Sequence, residues 1–200
     1  MKPGLAAHLR ARLRGEIVVV GIGNPLRGDD GVGSLVARHL WRAQLRERRP
    51  SLRVIDAEEI PEAFLGPITH PAPDTVVLVD AVNMGAVPGT TALLEMEDVA
   101  GREAFTHSAP LTLLARFITC ETGADVFLIG IQPGHRRLGT PSSPGVSAAA
   151  VSLAEILDSA SRTREWGVQG PDGRDGGGSG VGGTRRQARR SPGRQEDHPC

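Results

Sequence analysis

Two stretches of the chain, EIVVVGIG (16–23) and DTVVLVDA (74–81), are almost unbroken runs of β-branched and aliphatic residues. A strand with one wet face alternates apolar and polar side chains, whereas a strand without that alternation has to be covered on both faces. Strands of this kind lie inside parallel sheets flanked by helices, which constrains the fold more than any other feature of the sequence. The segments around them take turns between helical and extended patterns. GVGSLVARHLWRAQLRERR (31–49) puts Val32, Leu35, Val36 and Leu40 on one face and its arginines largely on the other, so it reads as an amphipathic helix. LRVIDA (52–57) reads as a short strand and IPEAFLG as a short helix with Pro61 near its start. TTALLEME (90–97) follows the turn-like VPG and reads as an edge strand, antiparallel to its neighbour; ADVFLIGIQ (124–132) reads as the last strand. SAPLTLLARFITC carries Leu113, Leu114, Phe117 and Ile118 at helical spacing. A final helix is expected from about Pro144 to Ser161, with Val146, Ala150, Leu153 and Leu157 inward. This rhythm predicts an α/β fold, a doubly wound sheet with helices on both sides.

At 200 residues and 39% hydrophobic content the chain suffices for one ordinary domain, expected over 1–161 with its core at 16–161. From residue 162 to 200 the composition turns to glycine, arginine and proline with almost nothing to bury, which predicts a disordered tail. A plain solvated extension is a simpler reading of it than an RNA-binding arginine–glycine segment. Lysine plus arginine equal aspartate plus glutamate at 23 each, a balance that argues against a nucleic-acid partner. Only two cysteines occur, Cys120 and Cys200, as expected in a reducing compartment, with Cys120 a small core residue and Cys200 a free terminal thiol; a disulfide between them is the less favoured alternative. The basic amino terminus contains no long apolar run, and no stretch approaches the roughly 20 apolar residues needed to span a bilayer. The expectation is a cytoplasmic protein without a membrane partner; oligomeric state is left open.

The string with most chemistry is GIGNPLRGDDGVG (21–33). Its glycines allow a tight turn at the carboxyl end of the first strand, and Asp29 and Asp30 stand where the following helix begins. One of the two acids is expected to cap the helix and the other to face the cleft. Asp80 ends a buried strand, where a carboxylate is costly unless paired, hydrogen-bonded or bound to metal. Because ligands of open α/β sheets collect at the carboxyl ends of the strands, Asp30 and Asp80 are candidates to face each other there. A hydrogen bond from Asp80 to a neighbouring loop is the plainer alternative. His107, in AFTHSAPL, reaches that mouth only if its loop folds back over the sheet; His135, in QPGHRRLG, is the competing imidazole. Two carboxylates and one imidazole suit a borderline divalent metal such as nickel or zinc. Other templates fit less well. GIGNPL lacks the third glycine of a dinucleotide fingerprint, although Asp56 mimics its ribose-binding acid. There is no GxSxG elbow, and Cys120 lies inside a predicted helix.

Taken together, GIGNPLRGDDGVG, VVLVDAV, FTHSAPL and FLIGIQP resemble, in this order and spacing over about residues 16–160, the hydrogenase maturation proteases. These endopeptidases trim the carboxyl terminus of nickel–iron hydrogenase large subunits. The resemblance implies a mixed, mostly parallel five-stranded sheet in a single three-layer domain of the phosphorylase/hydrolase type. It also implies that Asp30, Asp80 and His107 are the metal ligands, that nickel is supplied by the precursor substrate, and that the precursor large subunit is the partner. The attacking group is not identified by the resemblance. SAPL after His107 departs from the glutamine- or glycine-containing turn frequent in relatives, and the tail has no counterpart in the family pattern. A non-catalytic metal- or nucleotide-binding module is an alternative. A peptidyl-tRNA hydrolase-like enzyme fits less well, since GDDG stands where those proteins carry a histidine-containing string.

Overall fold

The computed structural model describes residues 4–99 and 108–162. The sheet has five strands: β1 (Ile17–Ile22), β2 (Leu52–Glu58), β3 (Thr75–Ala81), β4 (Thr91–Leu94) and β5 (Asp125–Ile131). Their spatial order is β2-β1-β3-β5-β4, and every pairing is parallel except that of β4 with β5. The two apolar runs supply the neighbouring strands β1 and β3, each buried along its whole length. The antiparallel edge strand is where the sequence puts it, but it is shorter: after Leu94 the chain turns into a four-residue helix, Met96–Val99.

Alternate side chains of β1 enter two separate cores. Ile17 and Val19 pack with α1 (Leu5–Arg12), α2 (Val32–Arg46) and α6 (Pro144–Arg162). Val18, Val20 and Ile22 pack with α3 (Leu65–Thr69), α4 (Met96–Val99) and α5 (Ser108–Thr122). This is the expected three-layer arrangement, its layers set by the period-two alternation of strand side chains. In α2, Val32, Val36 and Leu40 are buried as expected, as are Val146, Ala150, Leu153 and Leu157 in α6.

Three expectations are corrected. On α5 the inward face is Leu111, Leu114, Ala115 and Ile118, whereas Leu113 is 66% and Phe117 46% exposed. Cys120 is exposed on this helix and is not a core residue. The apolar pattern predicts no element in the amino-terminal segment, yet α1 buries Leu9 and, just beyond it, Leu13. Arg12 fastens α1 to the edge of the sheet, donating to both carboxylate oxygens of Asp125 at 2.7 Å and to those of Glu95 at 2.6 and 2.9 Å. Its guanidinium also lies 4.2 Å from the centre of the Phe127 ring. Among the described residues no helix is long and apolar enough to cross a membrane. The tail expected at 162–200 lies, apart from Arg162, outside the described residues.

Candidate functional site at the carboxyl edge of the sheet

The loops that leave β1, β3 and β5 form one lip after another along the carboxyl edge. At the first of these, β1 passes through NPLR into a 3-10 turn, Gly28–Gly31, that leads directly into α2. Close packing here depends on glycine. A β-carbon on Gly33 would stand 2.2 Å from the Val79 carbonyl oxygen and 2.3 Å from that of Ile22; one on Gly23 would stand 1.8 Å from the Asp30 carbonyl oxygen. Bare backbone at these positions lets the start of α2 rest on β1 and β3, which brings the turn carrying Asp30 to the end of the strand carrying Asp80.

The two adjacent acids divide their roles, although neither of them caps the helix. The amino-terminal cap of α2 is Gly31, with no side-chain hydrogen bond. Asp29 is fully buried and reaches across to the loop between β5 and α6. One of its oxygens accepts from the Gly134 N–H (2.8 Å), the His135 N–H (3.0 Å) and the Ser143 hydroxyl (2.7 Å). The other accepts from the Ser142 hydroxyl (2.9 Å) and the Ser143 N–H (2.5 Å). Burial alone would raise this carboxyl, but the donors of Ser143, His135 and Gly134 outweigh it and hold the pKa down at about 2. Asp29 is thus held as an anion at neutral pH and clasps two loops together.

Asp30 is turned to the mouth. Its carboxylate accepts from the Asn24 N–H at 3.2 Å and lies 3.4 Å from Nε of Arg136. Asp80 is 5% exposed, and among the described residues its hydrogen bond is from the Ala81 N–H to Oδ1, 2.7 Å. Burial pushes its pKa up to about 7, and the negative charge of Asp30 adds to the rise; the Ala81 N–H and the charge of Arg136 oppose it. The structure therefore brings Asp30 and Asp80 within electrostatic reach of each other at the carboxyl edge. A buried carboxylate with so few donors, beside a second acid, is a set that a divalent cation fits, since added positive charge offsets the cost of ionising Asp80.

His107 lies outside the described residues. His135, the competing imidazole, is occupied in holding the loops. Its carbonyl accepts from the Asp29 N–H at 3.0 Å, and its ring packs over Gly28 with Nδ1 3.4 Å from the Thr140 hydroxyl. Among the described residues no three His, Cys, Asp or Glu side chains gather as a metal group. Asp56 is paired with Arg38 of α2 at 3.4 Å, opposite Gly21 in the β1–β2 register. Arg136 is a member of the mouth that the sequence did not point to. Besides its pairing with Asp30, its Nη2 donates to the Ala81 carbonyl at 2.7 Å. The signal available was its place in QPGHRRLG, the loop leaving the last strand at the same edge.

The family model for hydrogenase maturation proteases matches residues 35–159. The Hydrogenase 3 maturation protease of Escherichia coli K12 is 34% identical over 144 residues, which is 70% of this chain and 88% of that protein. Among solved structures, the crystal structure of a [NiFe] hydrogenase maturation protease from Thermococcus kodakarensis superposes with a TM-score of 0.71 at 34% identity. That match covers 78% of this chain and 99% of the other. The solution structure of an Escherichia coli endopeptidase matches with a TM-score of 0.62 at 27% identity, over 72% of this chain and 89% of the other. With the expected sheet, the paired acids at its carboxyl edge and these likenesses in hand, the chain belongs to the hydrogenase maturation protease family and is a peptide hydrolase.

Proposed function

We propose that the protein removes the carboxyl-terminal extension of a nickel-loaded nickel–iron hydrogenase large-subunit precursor, with Asp30, Asp80 and His107 recognising the nickel that the precursor carries. The observation that carries this reading is the Asp30–Asp80 pair: two buried carboxylates at the carboxyl edge of the sheet, Asp80 with a hydrogen bond from the Ala81 N–H among the described residues and Asp30 beside Arg136. A protein substrate agrees with the surroundings. Leu26, Ile60, Val87 and Leu138, on the loops after β1, β2, β3 and β5, are between 56 and 76% exposed. Large apolar side chains displayed on the loops around a polar mouth suit contact with another protein more than enclosure of a small molecule.

The nickel is part of the substrate in this reading. When bound it supplies Lewis-acid polarisation and fixes the neighbouring peptide beside the cleft. The chain's own contribution is positional. Asp29 holds the β5–α6 loop against the first turn, the glycines bring Asp30 up to β3, and Asp80 ionises as positive charge accumulates beside it. Processing then depends on prior metal insertion, because the acids engage only a precursor that brings the cation. The test is a processing assay on precursor with and without nickel, read by the mass of the released peptide. Cleavage of the loaded precursor alone is expected, and loss of that cleavage in Asp30→Asn, Asp80→Asn and His107→Ala variants that remain folded. Equal trimming of nickel-free precursor, or normal trimming by all three variants, refutes the reading.

A further inference from the structure

Arg136 stands between the two walls of the mouth. Its Nε faces Asp30 Oδ1 at 3.4 Å, and its Nη2 donates to the carbonyl of Ala81, the residue after Asp80, at 2.7 Å. The backbone just before it is anchored, because the N–H groups of Gly134 and His135 both donate to Asp29. The Arg136 side chain keeps 24% of its surface exposed, while its Nε, the atom that faces Asp30, is buried. It borders a cavity of about 400 Å³ lined by Asn83, Gln132, Pro133, Gly134, His135 and Arg136. An anchored backbone and a buried Nε hold this positive charge beside Asp30, with open space on its other side.

We propose that Arg136 is a resident counter-ion that selects how metal reaches the mouth, a role resting on the reading of Asp30 and Asp80 as metal-recognising acids. A guanidinium on Asp30 both neutralises part of the site's negative charge and repels a second cation. A hydrated free dication meets that repulsion with its full charge. A metal delivered on a protein, partly neutralised by its own anionic ligands, meets much less of it. Arg136 therefore raises the threshold for free divalent ions and leaves the site responsive to protein-borne metal. An arginine suits this role because it stays charged at all working pH values and its planar fork can hold an acid and a carbonyl together.

The test is calorimetric titration of the full chain with nickel chloride at pH 7.5 for wild type, Arg136→Gln, Arg136→Lys and Asp80→Asn, with thermal melts showing that each variant is folded. Arg136→Gln is expected to bind nickel about ten-fold more tightly, the factor that a single positive charge some 6 Å from a dication imposes even at the dielectric constant of water. Arg136→Lys, which keeps the charge, is expected to stay close to wild type, an outcome that a purely structural role for the side chain does not produce. If Arg136→Gln does not fold, Arg136→Met serves as the neutral variant with the same expectation. Unchanged or weaker nickel binding by the neutral variant, with binding lost in Asp80→Asn, overturns the role of Arg136 alone. Nickel binding by Asp80→Asn equal to that of wild type overturns the metal-site reading and this proposal with it.

Discussion

Asp29 and Asp30 are neighbours in the chain, yet the first is locked away from the mouth and the second opens onto it beside Asp80. The pKa of Asp29 is depressed from 3.8 to about 2, so its stabilisation is present above pH 4 and is lost as pH falls through the folded value. Asp29→Asn puts an NH2 group among five donors, and the expected cost is about 2 kcal/mol or more, measured by urea unfolding at pH 7. The variant should also lose less stability than wild type between pH 4 and 2. Asp80 runs the other way. Its pKa is raised from 3.8 to about 7, so its effect favours the folded protein most below pH 4 and fades as pH rises to 7. Metal-free Asp80→Asn is therefore expected to melt a few degrees above wild type at pH 8 while failing to process precursor. A melt equal to or below wild type at that pH contradicts the assignment. Asp30 and Asp80 were legible in the sequence because each stands where a strand or turn ends at the edge that open sheets use for ligands. Arg136 was not, because its partners Asp30 and Ala81 are brought to it only by the fold, and nothing adjacent to an arginine in the chain announces such distant contacts.

Among the elements, the strands were the most legible, since unalternating apolar runs admit few placements. The inward face of α5 was less so. Leu111, Leu114, Ala115 and Ile118 follow the i, i+3, i+4, i+7 pattern, but the small Ala115 carries little hydrophobic signal beside the larger Leu113 and Phe117, which point outward. α1 escaped for a different reason. Its large apolar residues are only Leu5 and Leu9, and it is held by tertiary contacts of Leu9, Leu13 and Arg12. Leu9→Ala should cost about 2–5 kcal/mol in chemical denaturation, the usual range for emptying a fully buried leucine. Near-neutral behaviour would show that α1 is not part of the core. At the first turn of α2, Gly33→Ala forces a methyl group against two backbone carbonyls, and the expected loss is about 1–3 kcal/mol or more, with processing reduced because α2 has to move off β3.

Among the described residues, the exposed Leu26, Ile60, Val87 and Leu138 stand on loops at the edge of the sheet that carries Asp30 and Asp80. If that edge receives the precursor, replacing Leu26 and Leu138 together by serine should raise KM several-fold while leaving the melting temperature and kcat nearly unchanged, since both side chains are largely exposed. A fall in kcat alone would argue that these loops serve the chemistry and not the docking. The clasp made by Asp29 has a further meaning for how the enzyme comes into being. Its donors lie 105 to 114 positions downstream, so a chain emerging from the ribosome holds both acids long before the loop that completes their surroundings has been made. The clasp thus closes only once β5 and the loop that follows it have been made.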